Sequence, residues 1–228
     1  SSALLNNARR IRIYTPPGYD SSSNRFAVAL FHDGPDYLSL ANADNVLDYL
    51  IQQQSMAPLI AGFVSPVNRV PEYAGNQQPL FTRFIVEELM PWVDARFRTT
   101  TDPARRAVIG ASNGGNISLW IGFSHPQVFG NIAAQSSNVE ANVATAFQAN
   151  PRRDLKIYID IGTYDLPVLI QRVHDFVPIL SGKAYTYAFK EFHEGHSWGN
   201  WRAHLKFPLE MFFPGTAVGV DDGRLPPH

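Results

Sequence analysis

Arg105-Arg106-Ala107-Val108-Ile109-Gly110-Ala111-Ser112-Asn113-Gly114-Gly115-Asn116 passes from a short apolar run into a turn of small residues. An apolar pattern of helical period starts directly after it, at Ile117. The run reads as a buried strand, so Gly110 to Gly114 is a G-x-S-x-G in a strand–turn–helix setting. Such a turn is tight enough that the residues two before and two after the serine need minimal side chains. Gly110 and Gly114 meet that need, leaving Ser112 on a strained elbow with its hydroxyl aimed outward. The plainer alternative is a Gly-rich loop in which Ser112 only caps the following helix. The nucleophile reading is preferred because partners for it occur further along the chain.

Working back from the elbow, Arg9 to Thr15 alternates like a half-exposed strand, and Phe26 to Phe31 is a continuous apolar run expected to be a buried strand. That run stops at the polar loop His32-Asp33-Gly34-Pro35-Asp36. Asn45 to Gln54 has helical spacing, Leu59 to Val64 is a second buried strand, and Ser65 to Pro79 reads as irregular. Leu80 to Phe97 predicts one long amphipathic helix that Pro91 kinks or splits.

Forward from the elbow, the helix is expected to run through Phe123 and stop before Pro126. Ile132 to Ala134 is a weak strand, Val139 to Gln148 a helix, and Leu155 to Ile161 a strong strand. Leu169 to Leu180 reads as helix, Ala184 to Phe192 as strand, Trp198 to Phe213 as an amphipathic helix, and Pro214 to His228 as a loose tail. Alternating strands and helices imply an α/β fold, a three-layer α/β/α sandwich around a mostly parallel sheet, in one domain spanning 1–228. In such sheets ligands bind beyond the carboxyl ends of the strands, so the loops after strands are where chemistry belongs.

Those loops supply the partners a weak serine nucleophile needs. His196, in Glu194-Gly195-His196-Ser197-Trp198, follows the last strand and is the preferred general base; His193 lies nearer the strand and is its rival. Asp165, in Gly162-Thr163-Tyr164-Asp165, follows a strand end and can hold the imidazole tautomer. Asp160 sits inside that strand and Asp175 in the next helix. The order Ser112, Asp165, His196 matches one known serine-hydrolase arrangement and differs from the rest. Two donors should face the oxyanion that forms. One is the Asn113 N–H; the other comes from the loop after an early strand, where Pro35 has no N–H, leaving Gly34 or Asp36 with the choice open. Arg69, Glu72 and Tyr73, in a Pro-rich loop after a strand, either bind substrate or order that loop. Trp198 and Trp201 either line an aromatic pocket or pack on the core, the latter being preferred.

Bulk properties exclude several classes. Hydrophobic residues are 45% and charged residues 17%, a globular composition, and a net charge of −1 offers nothing to nucleic acid or anionic membrane. With no cysteine there is no disulfide or thiolate chemistry. No apolar run approaches the ~18–20 residues of a membrane span. Ser1 to Asn6 lacks the pattern of a signal peptide, and Ser1 in place of Met leaves room for a removed leader or upstream domain. A soluble protein is expected, secreted or periplasmic in preference to cytoplasmic. His193, Glu194 and His196 lack the i, i+4 spacing of a helical zinc motif, and Gly110 to Gly115 lacks the Lys of a P-loop.

The chain resembles the esterase D and enterochelin-esterase branch of the α/β-hydrolases. The likeness runs from about Arg9 to Phe213 and rests on Arg10-Ile11-Arg12-Ile13-Tyr14-Thr15-Pro16-Pro17-Gly18-Tyr19, His32-Asp33-Gly34 and Glu87-Glu88-Leu89-Met90-Pro91-Trp92. It continues through Ile109 to Gly115, His125-Pro126, Phe129-Gly130, Gly162 to Asp165 and Gly195 to Trp198. The resemblance implies an α/β-hydrolase fold and a serine esterase with Ser112 as nucleophile, His196 as base and Asp165 as acid, with no metal or cofactor. Implied substrates are carbohydrate-linked feruloyl or acetyl esters or siderophore-type esters. An acyltransferase, a peptidase or a non-catalytic binding module of the same fold is the alternative. Two departures stand out. Some siderophore esterases of the branch work with a Ser–His pair, which makes Asp165 the least secure member. In several relatives the residue after the Asp-Gly pair donates to the oxyanion, and here that residue is Pro35.

Overall fold

The apolar run before Ser112 is the middle strand of a seven-stranded sheet. The computed structural model describes residues 1–215. Its strands are β1 (Ile11–Tyr14), β2 (Ala27–His32), β3 (Leu59–Val64), β4 (Arg106–Ala111), β5 (Asn131–Gln135), β6 (Lys156–Tyr164) and β7 (Thr186–Gly195), ordered β1-β3-β2-β4-β5-β6-β7. Every pairing is parallel except β1 with β3. β2 to β5 are buried along their whole length, which is why they read as unbroken apolar runs rather than alternating ones.

Helices cover both faces. α1 (Gly34–Ser39), α2 (Ala43–Gln52), α9 (Trp198–His204) and α10 (Lys206–Phe212) pack on one side, around Tyr37, Leu47, Leu205 and Leu209. α3 (Arg69–Ala74), α4 (Gln78–Arg83), α5 (Met90–Arg96), α6 (Asn113–Ser124), α7 (Ala141–Ala149) and α8 (Pro167–Gly182) cover the other, around Phe81, Ile117, Phe147 and Phe176. The result is the expected three-layer α/β/α sandwich.

Four expectations need correction. The polar loop 33–36 is the start of α1: Asp33 turns the chain in a left-handed conformation and Gly34-Pro35 opens the helix. The stretch 65–79 is not irregular, since it contains α3 and the first residues of α4; Pro71 lies in the first turn of α3, where no intrahelical N–H is lost. The long helix begins at Gln78 and widens to a π-turn over Phe84–Leu89 before α5. Pro91 cannot donate to the Glu87 carbonyl, and the Met90 N–H reaches back five residues to the Ile85 oxygen instead. The last helix breaks at Leu205, three residues before Pro208. Of the expected tail, Pro214 and Gly215 are held in place, with the Gly215 N–H donating to the Ser55 oxygen at 3.1 Å; 216–228 lie outside the described residues. Among the described residues no helix is long and apolar enough to cross a membrane.

Candidate active site

The site gathers at the carboxyl ends of β2, β4, β5, β6 and β7. At the end of β4, Ser112 holds φ 57° and ψ −123°, a conformation strained for any residue with a Cβ. The turn closes so tightly that a Cβ on Gly110 would sit 2.2 Å from the Gly114 oxygen. The elbow is pinned on its far side: the Ser112 N–H donates to Gln135 O at 2.9 Å, and the Asn138 N–H donates to Ser112 O at 3.1 Å. The Ser112 side chain makes no capping bond to α6, so the capping alternative falls away. Asn113 opens α6, where the first N–H groups have no intrahelical acceptor and the helix dipole favours negative charge. Ser112 and Asn113 are half-buried and so within reach of a ligand.

His196 follows β7, and Asp165 follows β6. His196 Nδ1 and Asp165 Oδ1 are 2.8 Å apart; the Asp165 side chain is fully buried while the imidazole is 23% exposed. Burial pushes the Asp165 carboxyl up, but hydrogen bonds from His196, Ser136 and the Leu166 N–H outweigh it and hold the group below its ordinary value. The imidazole packs edge-on against Trp201 at 5.0 Å, and Trp201 Nε1–H donates to Ser136 Oγ at 3.0 Å. Asn200, buried in α9, donates from Nδ2 to the Gly195 oxygen at 3.1 Å and so anchors the residue before His196. No hydrogen bond joins His196 to Ser112 Oγ among the described residues. In unliganded sites this link is often long and tightens with substrate.

Among the described residues the other histidines lie away from this pair. His193 falls inside β7, facing Thr163 Oγ1 at 3.2 Å, because that strand continues past Phe192 to Gly195. His174 pairs with Glu191, His204 with Asn200, and His125 lies beside Gln127. His32 is fully buried at the end of β2, and burial lowers it to about 3, keeping the ring neutral. Asp160 is buried within β6 as expected; burial raises it to about 7 even though its Oδ1 accepts the Ser136 N–H at 3.0 Å.

The loop after β2 bears on the choice between Gly34 and Asp36 as a second donor. Asp33 is left-handed, with φ 55°, and its oxygen accepts the N–H of Asp36 at 3.0 Å and of Tyr37 at 3.1 Å. Asp36 is therefore committed within the turn, and Pro35 has no N–H. Gly34, the first residue of α1, keeps an N–H with no acceptor in its helix. It has no alternative identity, since a Cβ there would meet the Phe63 carbonyl carbon at 2.4 Å.

Arg69 is gripped by Asp33 through two bonds of 2.8 Å, Nε to Oδ1 and Nη2 to Oδ2, with the guanidinium side chain 38% exposed at the rim. Glu72 and Tyr73 order the loop: both are fully buried, Glu72 against Arg9 and Tyr73 accepting the Asp33 N–H. Trp201 is core-packed, whereas Trp198 is half-buried against Tyr37 at 5.0 Å. Sequence reasoning passed over Gln135, Ser136 and Asn138. Their one signal was position, in the loop after the weakly predicted strand.

Residues 1–209 match the Esterase family, whose description reads "Putative esterase". The "Uncharacterized protein YjcH" of Bacillus subtilis (strain 168) is 29% identical over 218 residues, covering 88% of this chain and 90% of that protein. A "ferulic acid esterase" structure superposes with a TM-score of 0.82 at 18% identity, over 93% of this chain and 95% of the other. The enterobactin esterase FES from Shigella flexneri gives 0.81 at 22% identity, over 92% of this chain and 57% of the other. These likenesses establish the α/β-hydrolase fold.

Proposed function

This chain belongs to the Esterase family, and from that premise we propose that it hydrolyses carboxylic esters through Ser112 and an acyl-enzyme. The observation that carries the reading is the 2.8 Å pairing of His196 Nδ1 with the buried Asp165, set across the sheet ends from the strained Ser112 elbow. Asp165 fixes the tautomer with the proton on Nδ1, which leaves Nε2 free to act as base. His196 takes the Ser112 proton as Oγ attacks the ester carbonyl. The Asn113 and Gly34 N–H groups hold the oxyanion of the tetrahedral intermediate. Its collapse releases the alcohol with the proton from His196. A water deprotonated by His196 then attacks the acyl-enzyme, and the acid leaves with Ser112 restored.

The ester is one with an apolar or aromatic portion, of the feruloyl or siderophore type named for the structural neighbours. Tyr164, Leu166 and Val168, next to Asp165 along the chain, are 76%, 50% and 55% exposed and would offer such a portion apolar surface. A panel of p-nitrophenyl acetate and butyrate, methyl ferulate, acetylated xylan and a catecholate trilactone, each run beside Ser112→Ala, tests the proposal. Turnover of at least one ester that the substitution abolishes is the expected result. Ester hydrolysis at the wild-type rate by Ser112→Ala would overturn it.

A further inference from the structure

The two proposed oxyanion donors lie on different elements, Asn113 at the start of α6 and Gly34 at the start of α1. Their separation and aim must be fixed to within a few tenths of an ångström for both to meet one oxygen. Nothing in the covalent chain fixes this, because nearly eighty residues separate them. The structure contains a buried strut that does. The Tyr73 hydroxyl accepts the Asp33 N–H at 3.1 Å, one residue before Gly34. The Tyr73 carbonyl accepts Asn116 Nδ2–H at 2.9 Å, and the Asn116 N–H donates to the Ser112 oxygen at 3.2 Å. Asn116 Oδ1 accepts the Glu140 N–H at 2.9 Å, which completes the amide. Tyr73 and Asn116 are fully buried and Asp33 is 2% exposed, so water does not compete for these bonds.

Asp33 needs such a hold. It is a non-glycine residue in the left-handed region, a conformation that persists only where surrounding contacts over-determine it. Its carboxylate is held by Arg69 and its carbonyl by the N–H groups of Asp36 and Tyr37. The N–H is the remaining backbone handle, and it holds the His32–Asp33 peptide plane, against which the left-handed φ of Asp33, and with it the direction of the chain into Gly34, is set. The Tyr73 ring is itself immobilised edge-on against His32 at 5.4 Å and Phe81 at 5.3 Å.

We propose that Tyr73 is a positioning residue for ester hydrolysis: its hydroxyl and carbonyl, with Asn116, set the Gly34 N–H relative to the Asn113 N–H. The inference rests on the serine-esterase reading above. Tyr73 touches no substrate and transfers no proton. Because negative charge accumulates on the oxygen only in the transition state, a mis-aimed donor lowers kcat and leaves KM nearly untouched.

The test is Tyr73→Phe, which keeps the ring packing and removes the acceptor, with the near-isosteric Asn116→Leu acting on the other end of the strut. Each is assayed on p-nitrophenyl acetate and with an aryl trifluoromethyl ketone, whose serine hemiketal mimics the tetrahedral oxyanion. In a variant that still unfolds in one cooperative urea transition, kcat should fall about 10-fold or more with KM within about 2-fold. The ketone's inhibition constant should rise by the same factor, and the pH–rate profile should not move, since His196 and Asp165 are untouched. Wild-type kcat in a folded variant overturns the inference. So does a fall in kcat without matching loss of ketone affinity, the signature of a purely structural role. Ser112→Ala separates the two levels: if it is inactive while Tyr73→Phe is normal, only this inference fails, and if it is active, the underlying reading fails.

Discussion

Replacing Asp165 by asparagine tests whether the 2.8 Å contact with His196 has the energetic weight its geometry implies. As Ser112 is deprotonated the imidazole becomes an imidazolium beside a fully buried carboxylate. With charge centres about 4 Å apart and an effective dielectric near 20, that carboxylate stabilises the cation by about 4 kcal/mol. At about 1.4 kcal/mol per decade, its loss slows the reaction about 10³-fold. The substitution also changes the hydrogen-bond logic. An asparagine amide can present its NH2 to Nδ1, which shifts the proton to Nε2, the nitrogen that has to be the base; a similar exchange in another serine hydrolase costs about 10⁴. The expected loss in kcat for Asp165→Asn is therefore about 10³ to 10⁴, with KM changed little. Initial rates on p-nitrophenyl acetate, normalised by titrating Ser112 with a fluorophosphonate, measure it directly. A loss under about 10-fold would refute the reasoning and leave a Ser112–His196 pair acting without a carboxylate.

Two stability predictions follow from buried charge. Asp160 is raised to about 7 in the fold from an ordinary 3.8, so the folded state keeps a proton that the unfolded chain loses, and stability falls as pH rises across that window. His32 is lowered to about 3 from 6.5, so the unfolded chain gains a proton that the fold refuses, and stability falls as pH drops from about 6.5 toward 3. Between about pH 4.5 and 6.5 the slopes oppose each other. Relative to wild type, Asp160→Asn should gain a slope of about +1.4 kcal/mol per pH unit there, read from urea unfolding; a profile parallel to wild type would count against it. Glu72→Gln leaves the 3%-exposed Arg9 guanidinium without its counter-charge and should cost about 3–5 kcal/mol in the same assay, a loss below about 1 kcal/mol being the contrary result.

Strand β4, the elbow and the Ser112, Asp165, His196 order were legible because each is a local pattern: an apolar run, two glycines at fixed offsets, a polar loop after a strand. What stayed hidden depends on contacts between distant segments. Tyr73 meets Asp33 across 40 positions, and Asn138 meets Ser112 through a loop after a strand too short to read well. The preference for Gly34 over Asp36 depends on a left-handed Asp33, which aspartate tolerates but its sequence neighbours do not signal. α3 was masked by Pro71, which marks a break in most contexts and is harmless in a first turn. Arg69 was expected in a loop beside the site, and its bidentate grip on Asp33 became visible only with the β2 and β3 loops side by side.

The π-turn at Phe84–Leu89 has a bearing on how this chain can vary among relatives. It accommodates one residue more than an α-turn would, so the extra residue is absorbed locally and the helix on either side keeps its apolar face on the core. Deleting a single residue there would restore ordinary winding and leave everything downstream close to its present phase, whereas the same deletion in a regular α-helix would rotate it by about 100°. Met90 and Val93, both buried, would stay on the core and Trp92 would stay at the surface. A one-residue gap at this position in an alignment therefore marks a relative that lacks the π-turn and still packs the same face of α5.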